Sequence, residues 1–246
     1  MIFVHGFELR QAEPSLREKI LRGVREAASE LGKPLLEVET NLRTFSDPLC
    51  AWGWRYHGSA LASVALLLSP RFHKIYIPGA HPYRHLAPWG SHPLVDPLWS
   101  TEGIEIVHDG CEATRAEKVA RISGCETVLR WLRVCFRNTN GAYDCGRCEK
   151  CVRTMISLRI VGALERCPTF ESPLDLDAVR RLEIPDDNIR SLTRENLEAA
   201  ESRGDDQALV EALRSCLRGA PEVTSAFRVL RRVSARLGLR RSDERA

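Results

Sequence analysis

Cys135, Cys145, Cys148 and Cys151 form the pattern C-x9-C-x2-C-x2-C, the strongest constraint on what this chain can fold into. Four soft thiolates suit a tetrahedral zinc ion, and cysteines three positions apart can chelate one ion from a single tight turn. Gly146 permits that turn. Cys148 and Cys151 fall where a helix is expected to start, and its N-terminal dipole favours thiolate charge. Arg147, Lys150 and Arg153 stand where they offset the negative charge of a tetrathiolate site. Two other chemistries compete. A redox C-x-x-C pair fits poorly with a third and fourth cysteine at these spacings, and an iron–sulfur cluster is the remaining rival. With cysteine at all four positions a bound zinc has no open coordination site, so its role is to staple the fold rather than to catalyse.

The other five cysteines (Cys50, Cys111, Cys125, Cys167 and Cys216) are isolated, and ordinary core or surface roles are expected for them. No secretory leader is read at the start, and no apolar run is long enough to span a bilayer. The expectation is a cytoplasmic protein whose thiols stay reduced. At 246 residues, with 43% hydrophobic and 28% charged composition, the chain can bury a core without disulfides. Its charge of +3 is uneven. From Leu213 to the end, nine arginines face three acids.

Hydrophobic periodicity predicts strands alternating with helices. Ile2-Phe3-Val4 reads as a strand closed by His5-Gly6, residues 15–31 as an amphipathic helix, and 34–39 as a second strand. A tryptophan-rich loop leads to a small-residue helix at 57–68, with further strands at 74–78 and 104–108. Thr114 followed by Glu117 is a capping-box spacing that opens a helix to about residue 122. Another helix is expected after Cys145, to about residue 164. Charged helices follow at 176–183, 189–203, 205–217 and 221–237. The alternation indicates an α/β layered domain with a mostly parallel, Rossmann-like sheet. The expected division is an α/β domain over 1–130, the four-cysteine segment over 131–172, and a helical, arginine-rich extension over 173–246.

One order of features carries a family resemblance: an α/β domain, the capped helix Thr114-Arg115-Ala116-Glu117-Lys118, Cys135, then Cys145-Gly-Arg-Cys-Glu-Lys-Cys151. It resembles the C-terminal half of the 7-cyano-7-deazaguanine synthase-like branch of the PP-loop ATP pyrophosphatases, over roughly residues 1–165. That resemblance implies a HUP-type parallel sheet, a structural zinc, and adenylation of a carboxylate or carbonyl by Mg-ATP. Pyrophosphate would leave, and a nitrogen or sulfur nucleophile would displace AMP in a ligase-like reaction. The family binds ATP phosphates with an S-G-G-x-D-S loop, whose glycines bring backbone N–H groups to the anion. None of the sixteen glycines here is adjacent to another. The loop is therefore absent, and the expectation is that the first strand, loop and helix of the fold are missing, leaving a chain that is incomplete or inactive alone. A second copy or a partner chain would then cover the missing strand.

Ligands of open α/β sheets bind beyond the carboxyl ends of the strands. His5 and Gly6 after the first strand and Thr40 and Asn41 after the second are the nucleotide-side candidates. Ser91, His92 and Asp96 in a turn-rich loop, Asp109 after the fourth strand, and Arg115 and Lys118 on the capped helix are the candidates for an unknown small-molecule acceptor or Mg²⁺. Each competes with the plainer reading of a loop residue satisfying local hydrogen bonds. No Ser–His–Asp arrangement stands out, and the histidine spacings are nonspecific. A non-catalytic, zinc-stapled binding module is the alternative function. The arginine-rich end could touch RNA, although Phe227 is its sole aromatic residue.

Overall fold

The structure, a computed structural model, describes residues 1–9, 14–138 and 141–219. The helix expected at 221–237 and most of the arginine-rich segment lie outside the described residues.

The architecture is mixed α/β. Strand β1 (Ile2–His5) leads into helix α1 (Pro14–Glu30), where proline suits the first helical turn and Leu16 and Ile20 form the buried stripe. Gly32, at φ +61°, supplies the left-handed turn that ends it. Strand β2 (Leu36–Glu39) returns parallel to β1, with Ile2 opposite Leu36 and His5 opposite Glu39. A short α2 (Leu42–Ser46) and a π-helical turn at Trp52–Tyr56 precede α3 (His57–Leu67). Strands β3 (Lys74–Pro78) and β4 (Glu105–Asp109) form a second parallel pair, Lys74 opposite Glu105 and Pro78 opposite Asp109. The single sheet expected from the alternation is instead two pairs, not hydrogen-bonded to each other. Helix α3 packs on both: Ala60 and Val64 meet Val4 and Val38, while Ala62 and Ala65 meet Ile77, Ile104 and Ile106. Its alternating small side chains let one helix serve two surfaces.

The rest is helical: α4 (Arg115–Ile122), α5 (Glu126–Trp131), α6 (Glu149–Ile160), α7 (Leu176–Arg180), α8 (Asp187–Arg203) and α9 (Gln207–Gly219). The expected helix start at Thr114 is realised as a complete capping box with Glu117. Helix α6 is buried on nearly every side from Cys151 to Leu158, Arg153, Thr154 and Ser157 included, so it forms the axis of the larger core. Val119 of α4, Leu129 of α5, Val179 of α7, Ala200 of α8, and Leu209 and Leu213 of α9 gather around its Val152, Met155 and Ile156. Helices α4 and α5 therefore share one core with the cysteine segment and the helices that follow it. No helix among the described residues is long and apolar enough to cross a membrane.

Candidate functional site

The chain brings its polar groups together in three places. The first is the cysteine cluster. Cys135 follows α5, Cys145 and Cys148 flank Gly146 (φ +66°), and Cys151 lies in the first turn of α6. The four Sγ atoms lie within 4.8 Å of one another, and those of Cys145 and Cys151 are 3.8 Å apart. Thiolates about 2.3 Å from a tetrahedral zinc ion would be about 3.8 Å apart, so the donor set fits one metal ion. The Cys148 N–H donates to Cys145 Sγ at 3.3 Å, which fixes the knuckle. A hydrogen bond from the Cys151 thiol lowers the Cys148 pKa, against a burial effect in the opposite direction. Asp144, buried, accepts the N–H groups of Val134 and Cys135 on Oδ1, at 3.0 and 2.8 Å. It ties the strand-like approach of the first cysteine to the turn that carries the other three.

A second, buried cluster joins Ser91, His92 and Asp96, picked out by sequence, to His108 of β4, which was not. Asp96 Oδ2 accepts from Ser91 Oγ at 2.5 Å and faces His108 Nδ1 at 2.7 Å, while Oδ1 accepts the His92 N–H at 3.2 Å. Asp96 is fully buried and the His108 side chain is 3% exposed. The residue types are those of a hydrolase triad, but the connectivity is not. Ser91 Oγ also lies 3.4 Å from His108 Nδ1, but that same nitrogen faces the carboxylate at 2.7 Å, so the imidazole does not stand between serine and aspartate as a triad base does. The loop is held on its other side by Gly90, whose carbonyl accepts the Gly58 N–H at 3.1 Å at the start of α3. A Cβ on Gly58 would lie 2.0 Å from that oxygen, so only glycine fits.

The third place is a cavity of about 490 Å³ where the C-terminal ends of β3 and β4 meet α4. Gly79, Asp109, Gly110, Arg115, Lys118 and Arg121 are among its lining residues. Lys118 Nζ donates to the Gly79 carbonyl at 2.7 Å, and burial, followed by the neighbouring Arg115, lowers its pKa. Arg115 has a buried Nε without a hydrogen-bond partner. Behind it, Arg153 pairs with Glu149 at 2.9 Å. Glu195 of α8, its side chain 2% exposed, faces His85 Nδ1 at 3.2 Å and accepts the Arg115 backbone N–H at 3.2 Å. One carboxylate from the helical region thus joins the loop after β3 to the start of α4. Burial, then the charges of Arg115 and Arg153, pushes the nearby His81 down to about 4, so it is neutral at pH 7.

Of the residues picked out by sequence, Asp109, Arg115 and Lys118 share this cavity. Ser91, His92 and Asp96 belong to the buried network beside it. His5, Gly6, Thr40 and Asn41 lie at the ends of the other strand pair. There, His5 Nε2 faces Glu37 at 2.9 Å, Gly6 takes φ +93° against the Thr40 carbonyl, and Asn41 starts α2 without a side-chain cap. Glu149 and Glu195, which complete the surroundings of the cavity, carry no local sequence signal, and Arg153, picked out by sequence as a counter-charge to the thiolates, pairs with Glu149. They converge only when α6 and α8 pack.

Comparison with known protein families, curated proteins and solved structures returned no match to this chain.

Proposed function

We propose that this chain is a zinc-containing relative of the PP-loop ATP pyrophosphatases that supplies the acceptor-binding side of an adenylating site, without a phosphate loop of its own. The observation that carries the reading is the placement of the cavity at the carboxyl ends of one of two parallel strand pairs that share helix α3. One more parallel strand hydrogen-bonded between the pairs would make a single five-stranded, Rossmann-like sheet. A strand–loop–helix unit carrying S-G-G-x-D-S is an element of that kind. The cavity would then lie near the middle of the completed sheet, where ligands of open α/β folds bind. In this reading the four cysteines hold a structural zinc that fixes α4 through α6, and hence the cavity wall.

Two experiments test the proposal. Isothermal titration of the 246-residue chain with Mg-ATP is expected to show no micromolar binding, and micromolar affinity with pyrophosphate release would refute the missing cradle. Fusing a strand–loop–helix segment from a PP-loop enzyme ahead of β1 is expected to create ATP affinity. A folded fusion that still ignores ATP would overturn the family reading. The missing glycine pair also favours a second reading, a zinc-stapled binding module that works beside another chain. Light scattering separates the two, because an unfilled position between the strand pairs should make the protein associate, whereas a monodisperse monomer argues for a self-sufficient module.

A further inference from the structure

We propose that the cavity between β3, β4 and α4 binds a small oxyanion-bearing molecule, a carboxylate or a phosphate, through the guanidinium of Arg115 with the ammonium of Lys118 beside it. The inference rests on the reading above only in taking this cavity as the acceptor site. The anion is then the acceptor's own charged group.

The reasoning starts from an imbalance of charge. Arg115 makes no side-chain hydrogen bond or ion pair among the described residues, and its Nε is buried. Arg115 is half-buried, and a guanidinium partly withdrawn from water without a partner carries a cost that a bound anion would offset. The nearby carboxylates are committed elsewhere. Glu149 pairs with Arg153 at 2.9 Å. Both oxygens of Glu195 are used, one by His85 and one by the Arg115 backbone N–H. Glu117 is spent on the capping box. Asp109 and Glu112 also line the cavity, but both are exposed and hydrated, so they compensate a buried cation weakly.

Lys118 adds a second cation. One of its three donors goes to Gly79, which leaves two for a ligand. A planar guanidinium with free N–H groups beside an ammonium is the arrangement that takes a carboxylate or phosphate oxygen pair. A cavity of 490 Å³ suits a small metabolite rather than a peptide. His81 is held neutral first by burial and then by the charges of Arg115 and Arg153, the second of which agrees with an excess of positive charge around this site. An anion bound there would raise the His81 pKa.

The test uses the whole chain, the two anions separately, and no nucleotide, so its outcome does not depend on the phosphate-loop reading. Wild type, Arg115→Met and, as a surface control, Arg22→Gln are titrated calorimetrically with inorganic phosphate and with succinate, each to about 10 mM. At least one anion is expected to bind wild type and Arg22→Gln alike and to lose about tenfold or more in Arg115→Met. Which anion binds distinguishes a phosphate-bearing from a carboxylate-bearing ligand. Without ligand, Arg115→Met is expected to melt at or above the wild-type temperature, because an unpaired buried charge is removed. The proposal is overturned if neither anion binds wild type, or if both bind Arg115→Met equally well. A drop of several degrees in the ligand-free Arg115→Met melt would also overturn it, by marking Arg115 as a structural cation.

Discussion

Removing the Asp96 carboxylate should be among the most damaging single changes outside the apolar core. Three donors converge on it: Ser91 Oγ and His108 Nδ1 on one oxygen, the His92 N–H on the other. All of this is shielded, with Asp96 fully buried. Hydrogen bonds to a charged acceptor contribute about 1.5–3 kcal/mol each, and a donor left buried without a partner costs about 1–3 kcal/mol. The bonds share one acceptor and are not additive, so Asp96→Ala is expected to cost about 3–5 kcal/mol, as for other broken buried pairs. Asp96→Asn can keep a carbonyl oxygen where Ser91 and His108 meet but turns an amide N–H toward His92, for about 1–2 kcal/mol. Ser91→Ala leaves the other two donors in place and should cost about 1 kcal/mol. Urea denaturation at constant m-value reads all three. The network account requires the order Ala at 96, then Asn at 96, then Ala at 91. A loss below about 1 kcal/mol for Asp96→Ala, or equal losses for Asp96→Ala and Ser91→Ala, would refute it.

Other outcomes follow from single contacts. Ser91 should resist fluorophosphonate labelling at neutral pH, because the His108 nitrogen 3.4 Å from its hydroxyl is the one turned to Asp96; stoichiometric labelling of Ser91 would contradict the assigned connectivity. Gly58→Ala drives a methyl group into the Gly90 carbonyl and should destabilise by about 1–3 kcal/mol or more, measured by thermal melting. His81 titrates near 4 when folded and near the ordinary 6.5 when unfolded. The unfolded chain therefore binds more protons between those values, and stability should fall by about 1–3 kcal/mol as pH drops from 6.5 toward 4. A nuclear magnetic resonance titration placing His81 above 6 would contradict this. Glu195→Gln loosens both His85 and the start of α4 and should cost about 1–2 kcal/mol, and an unchanged melt would show that the α8–α4 link carries no load.

Local chemistry made much of this molecule legible in its sequence. The capping box at Thr114 and Glu117, the glycine stop after α1, and the strands at 74–78 and 104–108 all depend on neighbours a few residues apart. The cysteine spacing was readable for the same reason, since a metal knuckle is a local device. What escaped depends on distance along the chain. The Trp52–Tyr56 turn winds as a π-helix where its tryptophans suggested a loop, with Trp52 packed on Phe7, two residues past the first strand. The separation of the strands into two pairs is a property of long-range pairing, which alternation alone does not specify. Ser91 and Asp96 were singled out in their loop, but their partner His108 lies on a strand twelve residues beyond Asp96, without a recognisable spacing. One signal was present: Asp96 stands among Leu94, Val95, Leu98 and Trp99, an apolar run where a carboxylate needs a reason. Arg115 was visible as a candidate on the capped helix, but its lack of a partner emerges only once Glu149 and Glu195 are seen to be engaged elsewhere.

The central claim is that one metal ion, bound by Cys135, Cys145, Cys148 and Cys151, anchors the helix core and with it the wall of the cavity. Elemental analysis of the purified protein, paired with far-ultraviolet circular dichroism before and after chelation, measures this directly. The account predicts about one equivalent of zinc per chain and a loss of helical signal when it is withdrawn. Below about half an equivalent of zinc with no iron, or a chelated protein with unchanged helicity, would contradict it.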